Sequence, residues 1–112
     1  MTDIRKLTEE YVAAFNSRDL NKVANLLSEN FELTDPDVTA LAPKNDVLKY
    51  IRQLFDAHDI FRFETKCILV NENISVIHFT LTLGAVVLDG VDVITWQNLS
   101  MIKMEAYLTQ RK

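Results

Sequence analysis

The chain has 112 residues, of which 48% are hydrophobic and 25% charged, with only two Gly and two Pro. This composition is typical of one globular domain, here predicted over residues 1–112, and it excludes disordered and collagen-like proteins. Sixteen acidic against twelve basic residues give a net charge of −4 without a Lys/Arg cluster, which argues against binding to nucleic acid.

The sequence predicts a cytoplasmic protein. Its one cysteine, Cys67, cannot form an internal disulfide, so no oxidising compartment is required. The N-terminus MTDIRKLTEE is too charged for a signal peptide, and no apolar run approaches the roughly 20 residues that span a bilayer.

The first part of the chain is predicted to form two helices. Thr2 or Asp3 can cap the first helix, and Asp19 can cap the second, which is expected to end at residues 28–30. Apolar residues recur at helical spacing in both segments. They are Ile4, Leu7, Tyr11, Val12 and Phe15, and then Leu20, Val23, Ala24, Leu26 and Leu27.

A short strand over residues 31–35, a loop over 36–43 and a third helix follow. Pro36 favours an extended Asp35, and Asn45 is a candidate cap for the third helix. That helix has an apolar face formed by Val47, Leu48, Ile51, Leu54 and Phe55.

The remaining sequence has the character of antiparallel strands. Segments 60–70, 74–83, 85–95 and 100–108 are rich in Val, Ile, Phe and Thr. Polar residues or glycines interrupt them at 71–73, Gly84, Asp89-Gly90 and 97–98. Helices followed by a run of strands predict an α+β fold in which three helices cover a curved antiparallel sheet and enclose a pocket.

Asp92 is the most informative residue, because strand alternation places it on the same face as Ile94 and Trp96. A carboxylate on an apolar face is costly unless it is paired or protonated. The alternative is an edge-strand Asp that reaches solvent or binds a backbone amide.

Tyr11 and Asp35 are the other candidates. Tyr11 lies on the apolar face of the first helix, where its ring can be structural while its hydroxyl needs a partner. Asp35 precedes Pro36, and an Asp-Pro pair at a strand end is commonly a turn.

Together these residues resemble a known family. The stretch YVAAFNSRDL from Tyr11, the stretch LLSENFELTDP ending at Asp35-Pro36, and Val91-Asp92-Val93 resemble the ketosteroid isomerases. These enzymes belong to the cone- or barrel-like nuclear transport factor two superfamily, which also holds the SnoaL-like polyketide cyclases. The resemblance covers about residues 5–108.

The resemblance implies a role for each of the three residues. Asp35 would be the base that removes a proton beside a carbonyl, and Tyr11 with a protonated Asp92 would donate to the resulting enolate oxygen. It implies an apolar small-molecule substrate and neither a metal nor an organic cofactor. Candidate pocket-lining residues are Phe15, Phe55, Phe61, Phe63, Trp96, Met104 and Leu108.

The chain also departs from the family pattern. Where some members have further tyrosines and a terminal aromatic residue, this sequence has Leu27, Ile51 and Leu108, and its strands are shortened around 83–89. These differences argue against a steroid-sized substrate.

Other chemistries find little support. His58 and His78 lack the spacing of metal ligands, and there is neither a Gly-x-Ser-x-Gly elbow nor a Gly-rich phosphate loop. Dehydratase or epoxide-hydrolase activity is less favoured, since such relatives bring more charged residues into the pocket. The main rival to an enzyme is a domain of the same fold that binds an apolar ligand without catalysis or serves to dimerise.

A homodimer through the sheet is also predicted. Val91 and Val93 lie on one face of their strand, and Ile94 and Trp96 lie on the other, so both faces have the character of buried surfaces.

Overall fold

Residues 3–111 are described by a computed structural model, and within them the chain forms three helices and five strands. The helices are α1 (Ile4–Asn16), α2 (Leu20–Leu26) and α3 (Lys44–Asp56). The strands are β1 (Leu27–Thr34), β2 (Phe61–Asn71), β3 (Ile74–Leu83), β4 (Val86–Gln97) and β5 (Ser100–Gln110). The predicted α+β class with a curved sheet is confirmed.

The N-terminal helices begin at predicted caps. The side chain of Asp3 accepts a hydrogen bond from the Lys6 amide, and that of Asp19 accepts one from Lys22, so each satisfies a backbone N–H of the first helical turn. The alternative cap Thr2 lies outside the described residues.

Two predicted boundaries were wrong. Helix α2 ends at Leu26, and Leu27 with the polar residues 28–30 belongs to β1, whose pairing with β5 overrides the local helical pattern. Asn45 lies inside α3 rather than at its cap, because the helix begins directly after Pro43 and no side chain caps it.

The sheet has the strand order β1-β5-β4-β3-β2. Strands β2 to β5 form the predicted antiparallel meander, whereas β1 pairs with β5 in parallel. This parallel pair was not predicted, and α3 and strands β2 to β4 separate its two members in the sequence. Strands β1 and β2 are the two edges, so the sheet is an open curved surface and not a closed barrel.

Asp89 and Gly90 were predicted to interrupt the sheet, but both lie within β4 and pair with β3 and β5. The strand needs a glycine here for space. A Cβ at residue 90 would lie 2.5 Å from the Tyr107 carbonyl oxygen and 2.6 Å from a methyl of Leu108.

The core lies between the helices and one face of the sheet. Helix α1 packs on β2 and β3, and α3 packs on β1. Ile77, Phe79 and Leu81 alternate along β3 and face this core, and the intervening His78 is exposed on the opposite face. Because β4 is central, its inward side chains are far from either sheet edge.

Candidate functional site

A small cavity lies between α1, α3 and the inner face of the sheet. Its volume is about 70 Å³, and Tyr11, Asp35 and Asp92 all contribute to its wall. The other lining residues are Phe15, Leu33, Tyr50, Ile51, Leu54, Phe63, Phe79, Leu81, Met104, Ala106 and Leu108. The fold therefore brings the three predicted catalytic residues to one cavity from a helix, a strand end and a central strand.

Tyr11 places a hydroxyl group in the core without a partner. The residue is 1% exposed, its ring stacks on Phe15 at 5.7 Å between centroids, and its hydroxyl makes no hydrogen bond to any of the described residues. Burial, together with the nearby Asp92 carboxyl, raises the pKa of Tyr11 well above its ordinary value. The phenol is thus a neutral donor that a ligand oxygen could satisfy.

Asp92 is buried on the inner face of β4, at 4% exposure. Its cross-strand neighbours are Ile77 and Ala106, and its carboxyl makes no hydrogen bond to any residue from 3 to 111. Burial first, and then the charge of Asp35, raise the pKa of Asp92 to about 8. The alternatives of a solvent-exposed or amide-bound edge carboxylate are therefore wrong, and at neutral pH Asp92 is chiefly a protonated donor.

Asp35 is held differently, at the half-buried end of β1. One carboxylate oxygen accepts hydrogen bonds from the backbone amides of Asp37 and Val38 at 2.8 and 3.0 Å. These two bonds form the turn that is expected of an Asp-Pro pair. The other oxygen accepts the Tyr50 hydroxyl at 2.7 Å. Asp35 is thus both a turn residue and a cavity residue, oriented by three hydrogen bonds.

Tyr50 was missed by the sequence analysis. It follows Val47 by three residues and precedes Leu54 by four, so helical spacing alone places it on the inner face of α3. Burial and its bond to Asp35 raise the pKa of Tyr50, which keeps the hydroxyl protonated as a donor. No additional tyrosine backs Tyr11, as the leucine and isoleucine at positions 27 and 51 predicted.

The predicted pocket-lining residues divide into two groups. Phe15, Phe63, Met104 and Leu108 line the cavity. The assignment of Phe55, Phe61 and Trp96 to the pocket is corrected, because none of these three side chains reaches it.

Each excluded aromatic residue has a structural place. Phe55 and Phe61 pack edge-on at 5.3 Å behind Phe15. Trp96 donates through its indole nitrogen to the buried Ser75 hydroxyl at 2.9 Å. Helical spacing placed Phe55 on the apolar face of α3, and alternation placed Trp96 on the face of Asp92, but neither pattern gives the depth of a side chain along the sheet.

Surface clefts elsewhere offer less chemistry. One of about 520 Å³ between α1 and α2 is lined by Ala13, Ala14 and Leu26, and the polar residues in its wall, such as Glu10, Ser17 and Lys22, are exposed. Among residues 3–111, no three His, Cys, Asp or Glu side chains are grouped so that they could hold a metal ion. The cavity between α1, α3 and the sheet is the better candidate because it contains the unsatisfied Tyr11 hydroxyl and the buried Asp92 carboxyl.

Comparisons with known proteins agree with this architecture. The family model of the SnoaL-like domain matches residues 8–102. No curated protein shows significant sequence similarity to the chain.

Solved structures share the fold at low identity. A nuclear transport factor two-like protein of unknown function from Burkholderia pseudomallei aligns with a TM-score of 0.86 and 20% identity, over 97% of this chain and 92% of its own. A candidate ketosteroid isomerase from Kribbella flavida aligns with a TM-score of 0.83 and 18% identity, over 97% of this chain and 79% of its own. A candidate SnoaL-like polyketide cyclase from Shewanella denitrificans aligns with a TM-score of 0.84 and 10% identity, over 95% and 90%.

At these identities the structural similarity establishes the fold alone. Within the part of the chain that is described, no helix has the length and hydrophobicity to cross a membrane.

Proposed function

The chain belongs to the SnoaL-like domain family, and we propose that it is an enzyme that transfers a proton beside the carbonyl group of an apolar substrate. One observation carries this proposal. Two buried donors, Tyr11 and protonated Asp92, line the same cavity as the Asp35 carboxylate and have no partner among the described residues.

In the proposed reaction, an Asp35 carboxylate oxygen takes a proton from the carbon next to the carbonyl. The electron pair of that C–H bond forms a carbon–carbon double bond, and the π electron pair of the carbonyl moves to its oxygen, which gives an enolate. Tyr11 and Asp92 donate hydrogen bonds to the enolate oxygen, and because they are already in place they need little reorganisation as its charge develops. Where the substrate has a β,γ double bond, return of the proton from Asp35 to the γ carbon moves that double bond into conjugation with the carbonyl.

Tyr50 contributes to this scheme through Asp35. Its hydroxyl and two backbone amides fix both oxygens of the carboxylate, so the base has a defined position before the substrate arrives. Tyr50 is therefore a positioning residue in this proposal.

The same arrangement distinguishes an enzyme from a passive binding domain. In a domain that only stores an apolar ligand, a buried carboxyl would be expected to bind protein groups and to titrate normally. Asp92 instead lines the cavity without a hydrogen-bond partner among residues 3–111, and its pKa is raised to about 8. This difference favours the proton-transfer enzyme over the binding-domain alternative.

The test is the binding of single-ring phenols of graded acidity, measured by calorimetry at pH 6.5. An enolate exists only after Asp35 has taken up a proton and become neutral. Asp35→Asn imitates this neutral side chain. In this background we expect affinity to rise with the acidity of the phenol. Tyr11→Phe or Asp92→Asn should each weaken binding roughly 10- to 100-fold, the equivalent of about 1.5–3 kcal/mol for a hydrogen bond to a charged group.

Matched controls come from exposed positions. Tyr107→Phe and Asp59→Asn repeat the two chemical changes away from the cavity and should leave binding unchanged. Raising the pH to 9 ionises Asp92 and should weaken binding in the Asp35→Asn background. Phenol affinity that is indifferent to Tyr11→Phe and Asp92→Asn would reject the proposal and favour the passive binding domain.

A further inference from the structure

The cavity wall has an unusual charge composition. None of its lining residues is Lys, Arg or His, and its titratable groups are Tyr11, Tyr50, Asp35 and Asp92. An anionic ligand would lose its hydration, face the Asp35 carboxylate and find no compensating cation. Substrates that carry a carboxylate or phosphate inside the cavity are therefore disfavoured.

A cationic ligand fits no better at the buried end. The Tyr11 hydroxyl and the protonated Asp92 carboxyl both offer protons there, so the matching group is an acceptor such as a carbonyl oxygen. The walls beyond these two donors are aliphatic and aromatic. The chemistry of the wall thus matches a neutral molecule with one carbonyl and an otherwise apolar body.

The size of the cavity limits that body. A cavity of 150 Å³ is large enough to hold benzene, and pockets for drug-sized ligands range from about 300 to 1,000 Å³. This cavity measures about 70 Å³. This is less than half of the volume that holds benzene, so a single ring or a short chain would have to place part of its body at the half-buried opening beside Asp35 and Tyr50.

The walls leave little room for expansion. Phe15 and Phe63 are packed edge-on at 5.0 Å between ring centroids, and the Tyr50 ring is tied to Asp35 by its hydroxyl. On the β4–β5 side, the close contact of Leu108 with Gly90 shows that its side chain already fills the space that the glycine leaves open. Leu108 is therefore the side chain whose shortening would most directly lengthen the cavity.

We infer that the substrate is an uncharged, single-ring or short-chain carbonyl compound, and that Leu108 sets its upper size. This inference rests on the proposed proton transfer, because the polar end of the substrate is assigned to Tyr11 and Asp92.

The test compares phenol, 2-naphthol and estradiol, which present similar phenolic groups on one, two and four rings, in the Asp35→Asn background. Larger apolar probes bind more tightly when nothing restricts their size, since they bury more surface. Here we expect the reverse order, with 2-naphthol at least tenfold weaker than phenol and estradiol weaker still. Benzoate and benzylamine, which match phenol in size but carry charge, are compared with phenol in the wild type, where the Asp35 carboxylate is present, and should bind at least tenfold more weakly.

Leu108→Ala, combined with Asp35→Asn, identifies the restricting side chain. We expect it to improve the affinity of 2-naphthol relative to phenol at least tenfold. The control Leu69→Ala removes the same atoms from a side chain that is 61% exposed on β2 and should leave the ratio unchanged. An equal ratio in the two variants would overturn the assignment of the size limit to Leu108.

The outcomes separate the inference from the proposal beneath it. If 2-naphthol or estradiol binds as tightly as phenol, and binding still requires Tyr11 and Asp92, the size inference is overturned while the proton-transfer proposal survives. Benzoate or benzylamine bound as tightly as phenol would overturn the inference that the substrate is uncharged. Failure of every phenol to bind would overturn both.

Discussion

Replacing Asp92 with Asn should remove a large part of the loss of folding stability that the protein undergoes as the pH rises. Asp92 has an ordinary pKa of 3.8 in the unfolded chain and a pKa of about 8 in the folded protein. Between these two values the unfolded chain releases the proton while the folded protein retains it. The wild type is therefore most stable, as far as Asp92 is concerned, below pH 4, and it loses stability as the pH rises to about 8.

The magnitude follows from the same two pKa values. Each pH unit inside the window costs at most about 1.4 kcal/mol, so the whole window costs on the order of 5 kcal/mol. A small domain is stable by about 5–15 kcal/mol in total, which makes such a loss easy to measure. Asn is close to Asp in shape and carries no charge at any pH, so Asp92→Asn is expected to be the more stable protein at pH 8.

The assay is urea unfolding of the wild type and Asp92→Asn at one-unit steps from pH 4.5 to 8.5. Subtracting the two free energies of unfolding cancels the titration of groups that both proteins share. The difference should grow steadily with pH and level off above pH 8, whereas Asp59→Asn, at an exposed site, should follow the wild type throughout. Parallel curves for the wild type and Asp92→Asn between pH 5 and 8 would refute the assignment of Asp92 as a buried, protonated carboxyl.

Three further predictions concern the neighbours of this site and the outer face. Asp35→Asn removes a charge that raises the pKa of Asp92, so carboxyl carbon NMR should record the titration of Asp92 at lower pH than in the wild type. An unchanged titration midpoint would mean that the two carboxyl groups are not coupled. Ser75→Ala leaves the buried Trp96 indole N–H without its acceptor and should cost about 1–3 kcal/mol in urea unfolding, and an unchanged midpoint would contradict this role. The homodimer through the sheet stays a prediction: light scattering after size exclusion should give twice the chain mass, and a monomer at micromolar concentration would rule it out.

Most of the architecture followed from short-range patterns in the sequence. Helical spacing from Ile4 to Phe15 and the capping side chains of Asp3 and Asp19 identified the first two helices. Strict alternation in β3 gave its buried face, because side chains of a strand point to opposite sides in turn. The composition of the two halves gave the α+β class.

Pairing partners were harder to predict, since they are distant in the sequence. The polar segment after Leu27 follows a helix and carries no strand signal, yet it lies within β1, between the two places, Leu27 and Glu32, where β1 pairs with β5. Gly90 has the sequence of a turn beside Asp89, but a close approach of β5 places it within a strand. Local propensity is a weak constraint where tertiary contacts compete with it.

The sequence by itself determined which residue types could serve proton transfer and, for Tyr11 and Asp92, the inward face of the element that carries each. Only the tertiary structure decided what surrounds them. It joined Asp35 to Tyr50, left the Tyr11 hydroxyl and the Asp92 carboxyl without protein partners, and kept Phe55, Phe61 and Trp96 out of the cavity. Periodicity fixes the direction of a side chain, whereas hydrogen-bond partners, desolvation and cavity size depend on how deep the packed elements place it.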